Sequence, residues 1–152
     1  MIRLWLFLHI LGFTLWIGGA LAAMVAGIAS RREDRAGLGA VVRTQAAVQK
    51  VVVAPGALLS VLSGLMLTFS VTSLRGGEAG FNFWLVLMQG AGLVAALVVL
   101  MVGLPTAAKL ARLDPDGPGA AYFDELRQRQ RVVGSVAGLL ALAALVGGAM
   151  VA

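Results

Sequence analysis

The chain has no cysteine, which excludes disulfides, thiolate zinc sites and cysteine-bound iron–sulfur clusters. Its only histidine is His9, so one chain cannot build a site from several imidazoles. Acidic residues number 7 in 152, and none falls inside a long apolar run. An intramembrane carboxylate pair for acid–base work and an acid-lined transport route are therefore excluded as well. No glycine-rich nucleotide loop or soluble catalytic motif is present. Charged residues make up only 12% of the chain. A soluble domain of this length needs far more polar surface to cover its core.

What is present is apolar sequence. Hydrophobic residues reach 60%, and the mean hydropathy is +0.94. The apolar runs are continuous and do not alternate, which argues for spanning helices and against a membrane barrel. Spans are expected at about 4–28, 51–71, 82–104 and 132–151. The predicted fold is an all-α integral membrane bundle of four transmembrane helices, forming one domain over 1–152. Met1-Ile2-Arg3 and the following apolar residues resemble a signal peptide, with Ala20-Leu21-Ala22 as a cleavage site. Because apolar sequence continues to Ile28, beyond a typical h-region of ~7–15 residues, this stretch is expected to stay as the first span.

The first run, Leu4 to Ile28, is 25 residues without a charged side chain of fixed sign. At ~1.5 Å per residue it covers roughly 37 Å, enough for a ~30 Å hydrocarbon core with tilt. Helical spacing puts His9, Gly12, Trp16, Gly19, Ala23 and Gly27 on one face. Small residues let a neighbouring helix approach, so this face is expected to point into protein. Further on, Asp34 is a candidate N-cap for a helix over Leu38–Lys50, an interfacial lead-in to the second span. Pro55 falls in the first turn of that span, where a missing N–H costs least. Gly56, Ser60, Gly64 and Thr68 follow at four-residue intervals, a small-residue ridge suited to packing on the first span.

Thr72 to Gly80, with Gly76, Gly77 and Gly80, reads as a loop. Phe81, Phe83 and Trp84 form an aromatic belt at the head of the third span, which is expected to end at Pro105. Asp114 to Gly119 is a turn region. Ala120 to Arg131 is helical in pattern and leads into the fourth span, where Gly134 and Gly138 form a GxxxG pair. Ten cations (Arg31, Arg32, Arg35, Arg43, Lys50, Lys109, Arg112, Arg127, Arg129 and Arg131) fall on one side, against Arg3 and Arg75 on the other. This asymmetry places both long connections in the cytoplasm and both termini outside. The net charge of +5 is thus a topology signal and not a nucleic-acid patch. The lipid bilayer is the implied partner, and the small-residue faces suit a homo-oligomer or a larger membrane complex.

Matching depth between spans brings His9, Met66, Thr68, Met88 and Gln89 into one layer near the outer face. An imidazole, thioether sulfurs and a polar group able to orient the imidazole are the ingredients of a haem b or copper site. Two ligand pairings make chemical sense: His9 with a methionine of the same chain, or His9 from each of two chains. Two other readings stay open. The histidine can be a polar helix contact to Gln89 or Thr68, or it can handle a proton or substrate.

The pattern Leu8-His9-Ile10-Leu11-Gly12 followed by Trp16-Ile17-Gly18-Gly19 resembles the LHxxG…WxGG opening of a group of small bacterial membrane proteins. That group includes the copper-resistance CopD domain, the HemJ-type protoporphyrinogen oxidases, and a related four-span family without an assigned function, which is the nearest in layout. Pro55, Ser63-Gly64-Leu65 and Trp84 extend the resemblance more loosely. It implies a location in a bacterial inner (cytoplasmic) membrane, haem b bound through His9, and a redox or haem-handling role as an oxidoreductase or otherwise. Trp16 of the motif and the depth-matched Met66, Thr68, Met88 and Gln89 complete the candidate cofactor site. Where HemJ-like proteins usually carry a lysine after the third-span tryptophan, Trp84 is followed here by Met88-Gln89. The lack of a cation to meet a propionate counts against protoporphyrinogen oxidation. The alternatives from other classes are a structural or accessory membrane subunit without cofactor, and copper or small-solute transport through His9, Met66 and Met88.

Overall fold

A computed structural model describes residues 1–74 and 82–151, and among these there is no strand. The predicted all-α four-span bundle is the architecture observed. Four helical runs are long and apolar enough to cross a membrane: Ile2–Arg32, Arg35–Thr72, Phe83–Leu110 and Ala120–Met150. They contain six α-helices: α1 (Ile2–Ala29), α2 (Arg35–Val48), α3 (Ala54–Leu74), α4 (Phe83–Val98), α5 (Leu104–Leu110) and α6 (Ala120–Met150). The predicted loop from Thr72 begins later than expected, because α3 continues to Leu74. The remainder of that loop with its glycines, Arg75, and Phe81 of the aromatic belt lie outside the described residues. Large apolar side chains such as Phe7, Phe69 and Leu139 are well exposed on the outer surface. Lipid is the solvent that suits such a surface, since every backbone polar group of a helix is satisfied internally.

Helices pair in two antiparallel couples, α1 with α3 and α4 with α6. In lipid the drive for such pairing is close packing, and small residues decide where it occurs. A Cβ on Gly12 would lie 2.5 Å from the Ser60 nitrogen and 2.9 Å from the Gly56 oxygen. A Cβ on Gly56 would meet the Trp16 nitrogen at 2.7 Å. Further along, Gly19 faces Val53, and Gly27 faces the Gln45 amide, which donates to the Ala23 carbonyl at 2.7 Å. The predicted face of the first span and the predicted ridge of the second are therefore the two sides of one contact.

In the second couple, Gly147 faces the Met88 and Trp84 backbones, and Gly92 faces Ala144. The fourth span buries Ala137, Ala141, Ala144 and Gly147. Gly134 and Gly138 have open space around them. The predicted GxxxG pair thus lies off the contact, about a third of a turn from the face that packs. Trp16, Val53, Ala57, Ala95, Ala96, Val99, Ala137 and Ala141 make the central core.

Both middle spans continue through their prolines. Gln49–Val53 and Val99–Gly103 are π-helical turns, each placed two residues before a proline, Pro55 or Pro105. The wider turn moves the carbonyl ladder out of the register that the proline ring would otherwise block. Ala54 thus donates to the Gln49 carbonyl and Leu104 to the Val99 carbonyl. The third span does not end at Pro105; it runs on as α5 to Leu110. Likewise α2 joins α3 without a break, so the predicted lead-in and second span are one continuous rod. The two π turns lie side by side, with the buried Gln49 amide 3.2 Å from where a Gly103 Cβ would be.

At the basic end the connections form a small second core of Leu38, Val42, Leu110, Phe123 and Leu126. Asp34 caps α2 by accepting from the Gly37 nitrogen at 2.7 Å, as its position predicts. Arg35 reaches across to the Pro115 carbonyl and pairs with Asp124 at 3.0 Å. Arg127 donates to the Ser30 hydroxyl at 2.9 Å, tying α6 to the end of α1.

Candidate functional site

The His9 ring is held by the second span. Its Nδ1 lies 2.7 Å from the Ser60 carbonyl oxygen. A carbonyl can only accept, so Nδ1 carries the proton, and in the neutral ring Nε2 keeps its lone pair. The ring rests on Gly64, whose missing side chain makes the space: a Cβ there would sit 3.0 Å from Cε1 and 3.1 Å from Nδ1. The Ser60 carbonyl also accepts from the Ser63 hydroxyl at 3.2 Å. Gly64 and Ser60 therefore do more than pack, since together they seat the ring and choose its tautomer.

A second polar string runs beside the ring. Gln89 donates to the Thr68 hydroxyl at 2.7 Å, and Thr68 donates to the Gly64 carbonyl at 3.0 Å. The predicted layer is thus assembled in part: His9 lies on Gly64, and Thr68 and Gln89 tie α3 to α4 one turn further along. Gln89 does not orient the imidazole; the backbone of Ser60 does.

The remaining predicted residues point elsewhere. Met88 packs on α6, with its sulfur 3.1 Å from the position of a Gly148 Cβ. Met66 is 44% exposed and lies about half a turn round α3 from Gly64. Trp16 is 3% exposed and belongs to the central core, seven residues along the helix from His9. Its ring packs edge-on to Phe13.

Equal depth from the helix ends places Met66 to Phe69 opposite His9. The observed partners, Ser60 and Gly64, lie about one turn deeper. Register is set instead by the glycines, because Gly12 on Ser60 and Gly56 on Trp16 admit only one alignment of the two backbones. Gly64 carried a usable signal, being on the same four-residue ridge as those contacts.

The site offers one imidazole donor. A hydrogen bond from the far ring nitrogen to a carbonyl is the outer-shell support that metal-binding histidines normally have. Among the described residues no second strong donor is seen against His9. Among the described residues no three His, Asp or Glu side chains come together.

Searches against protein-family models, curated proteins and solved structures return no match to this chain.

Proposed function

We propose that this chain is a haem b-binding membrane protein with a redox or haem-handling role, and that His9 would hold the haem through Nε2. The observation that carries the reading is the 2.7 Å hydrogen bond from Nδ1 to the Ser60 carbonyl, which leaves Nε2 as the free donor atom. Haem b, when bound, supplies a one-electron iron couple. The contribution of the chain is to fix the ring on Gly64, hold its tautomer and surround it with apolar helix surface. The resemblance of the first span to the CopD and HemJ-like group supports the same assignment. The ten-to-two division of cations supports a site near the periplasmic face of a bacterial inner membrane.

Met88 faces α6 and Met66 faces outward, so His9 of a second copy would be the better second protein donor. The test uses protein purified in detergent and supplemented with haem. His9→Ala should abolish the Soret absorption, while Met88→Leu and Met66→Leu should leave it unchanged. A methionine variant that shifts the spectrum would replace the two-histidine pairing with a histidine–methionine one.

A cofactor-free accessory subunit is the competing reading. It is favoured by the fact that the His9–Ser60 bond also works as a plain tie between two helices. On that reading the supplemented protein is colourless and His9→Ala lowers only stability. Copper handling is the third reading, which metal analysis of the purified protein addresses.

A further inference from the structure

A cleft of about 290 Å³ opens between the third and fourth spans at the basic end. Lys109, Tyr122 and Arg129 line its polar part. Thr106 and Leu126 are its buried members, 5% and 4% exposed. Met101 and Val102, which precede Pro105 in the π turn, line the part nearest the apolar half of the bundle. Met101 is 70% exposed there.

Three features give the cleft a ligand chemistry. No carboxylate lines it. Among the described residues neither Lys109 nor Arg129 has an ion-pair partner, the one ion pair being Arg35 with Asp124. The Thr106 hydroxyl has no protein hydrogen-bond partner among those residues, although Thr106 is almost fully buried. Two unpaired cations and an unused hydroxyl therefore converge on one hollow, together with a tyrosine, a ring type that anchors at membrane interfaces. The polarity changes along the cleft from cationic to apolar. A free inorganic anion would use only the cationic part, whereas a molecule with a phosphate head and an acyl tail would use all of it.

We propose that this cleft binds an anionic glycerophospholipid, with Lys109 and Arg129 on the headgroup phosphate and the acyl chain along Met101 and Val102. Basic hollows between spanning helices are well suited to such headgroups. This inference is independent of haem binding at the opposite end of the bundle.

The experiment measures binding of fluorescent dioleoyl phosphatidylglycerol to the full-length protein in neutral detergent. Dioleoyl phosphatidylcholine and inorganic phosphate serve as competitors. Phosphatidylglycerol should bind in preference to phosphatidylcholine. Lys109→Gln/Arg129→Gln should weaken it about tenfold, with each single change weakening it by less. Arg31→Gln/Arg32→Gln removes the same charge at the same end, outside the cleft, and should change binding by less than about threefold. Met101→Gln should weaken the lipid too. Equal losses in the two double variants would overturn the proposal by showing only a general surface field. So would the absence of a preference over phosphatidylcholine. Complete displacement by inorganic phosphate at equal concentration would make the cleft a free-anion site and defeat the lipid assignment. If the double variant does not give monodisperse helical protein, the single variants decide between the same outcomes.

Discussion

The imidazole of His9 occupies the volume that a side chain at Gly64 would fill, with Nδ1 3.1 Å from the position of that absent Cβ. The relationship links the one titratable ring of the first span to a glycine of the second. Adding a methyl group should therefore push the ring off its seat and break its bond to Ser60. Gly64→Ala is expected to cost about 1–3 kcal/mol in a detergent unfolding experiment, the usual price of overpacking. It should also reduce haem retention. Unchanged haem binding in this variant would mean that the seat does not position the ligand.

The glycines of the bundle should divide into two groups by what surrounds them. Gly12→Ala places a methyl group 2.5 Å from the Ser60 nitrogen and has only backbone to push against. A loss of several degrees in thermal midpoint is expected. Gly138→Ala meets nothing within 4 Å and should be neutral or stabilising by up to about 1 kcal/mol, as alanine is the better helix former. Parallel melts of the two variants in detergent test the contrast.

Gln89 and Thr68 provide a polar tie between α3 and α4. A double-mutant cycle with Gln89→Leu and Thr68→Val should give a coupling of about 0.6 kcal/mol, the typical size for a hydrogen bond between membrane helices. A coupling near zero would leave apolar packing as the main link between the two helices.

At the basic end two adjacent residues should behave very differently. Phe123 is fully buried among Leu38, Val42, Leu110 and Leu126, so Phe123→Ala should cost about 3–5 kcal/mol. Asp124 pairs with Arg35, but both side chains are about half exposed, at 50% and 47%. Asp124→Asn should therefore cost no more than about 1 kcal/mol, and the loss should shrink as salt is added. Denaturant titrations at two ionic strengths check both values.

These contrasts also mark what the sequence could convey. Long apolar runs require four spanning helices, because no other open structure satisfies its backbone in lipid. The face through His9, Gly12, Trp16 and Gly19 was legible from spacing alone, as were the Gly56–Ser60–Gly64 ridge and the Asp34 cap. Depth along a helix is likewise computable, but the direction a side chain takes depends on which face each neighbour presents. Met66 and Met88 share the depth predicted for a ligand layer and turn outward and toward α6. For the same reason Gly134 and Gly138 match a packing motif yet face open space, while Ala137, Ala141 and Gly147 make the contact. Pro105 reads as a helix end because an α-helical ladder cannot absorb it. The π turn at Val99–Gly103 changes the ladder, and no single residue announces that. The second core around Phe123 depends on two connections meeting in space, which neither encodes by itself.

The most direct test of the central claim is the absorption spectrum of the pure wild-type protein, recorded as haem is added in detergent. A Soret band should grow to saturation, shift on reduction, and be absent from a folded His9→Ala variant. A wild-type protein that stays colourless after supplementation, or a His9→Ala variant with the same spectrum, would contradict it.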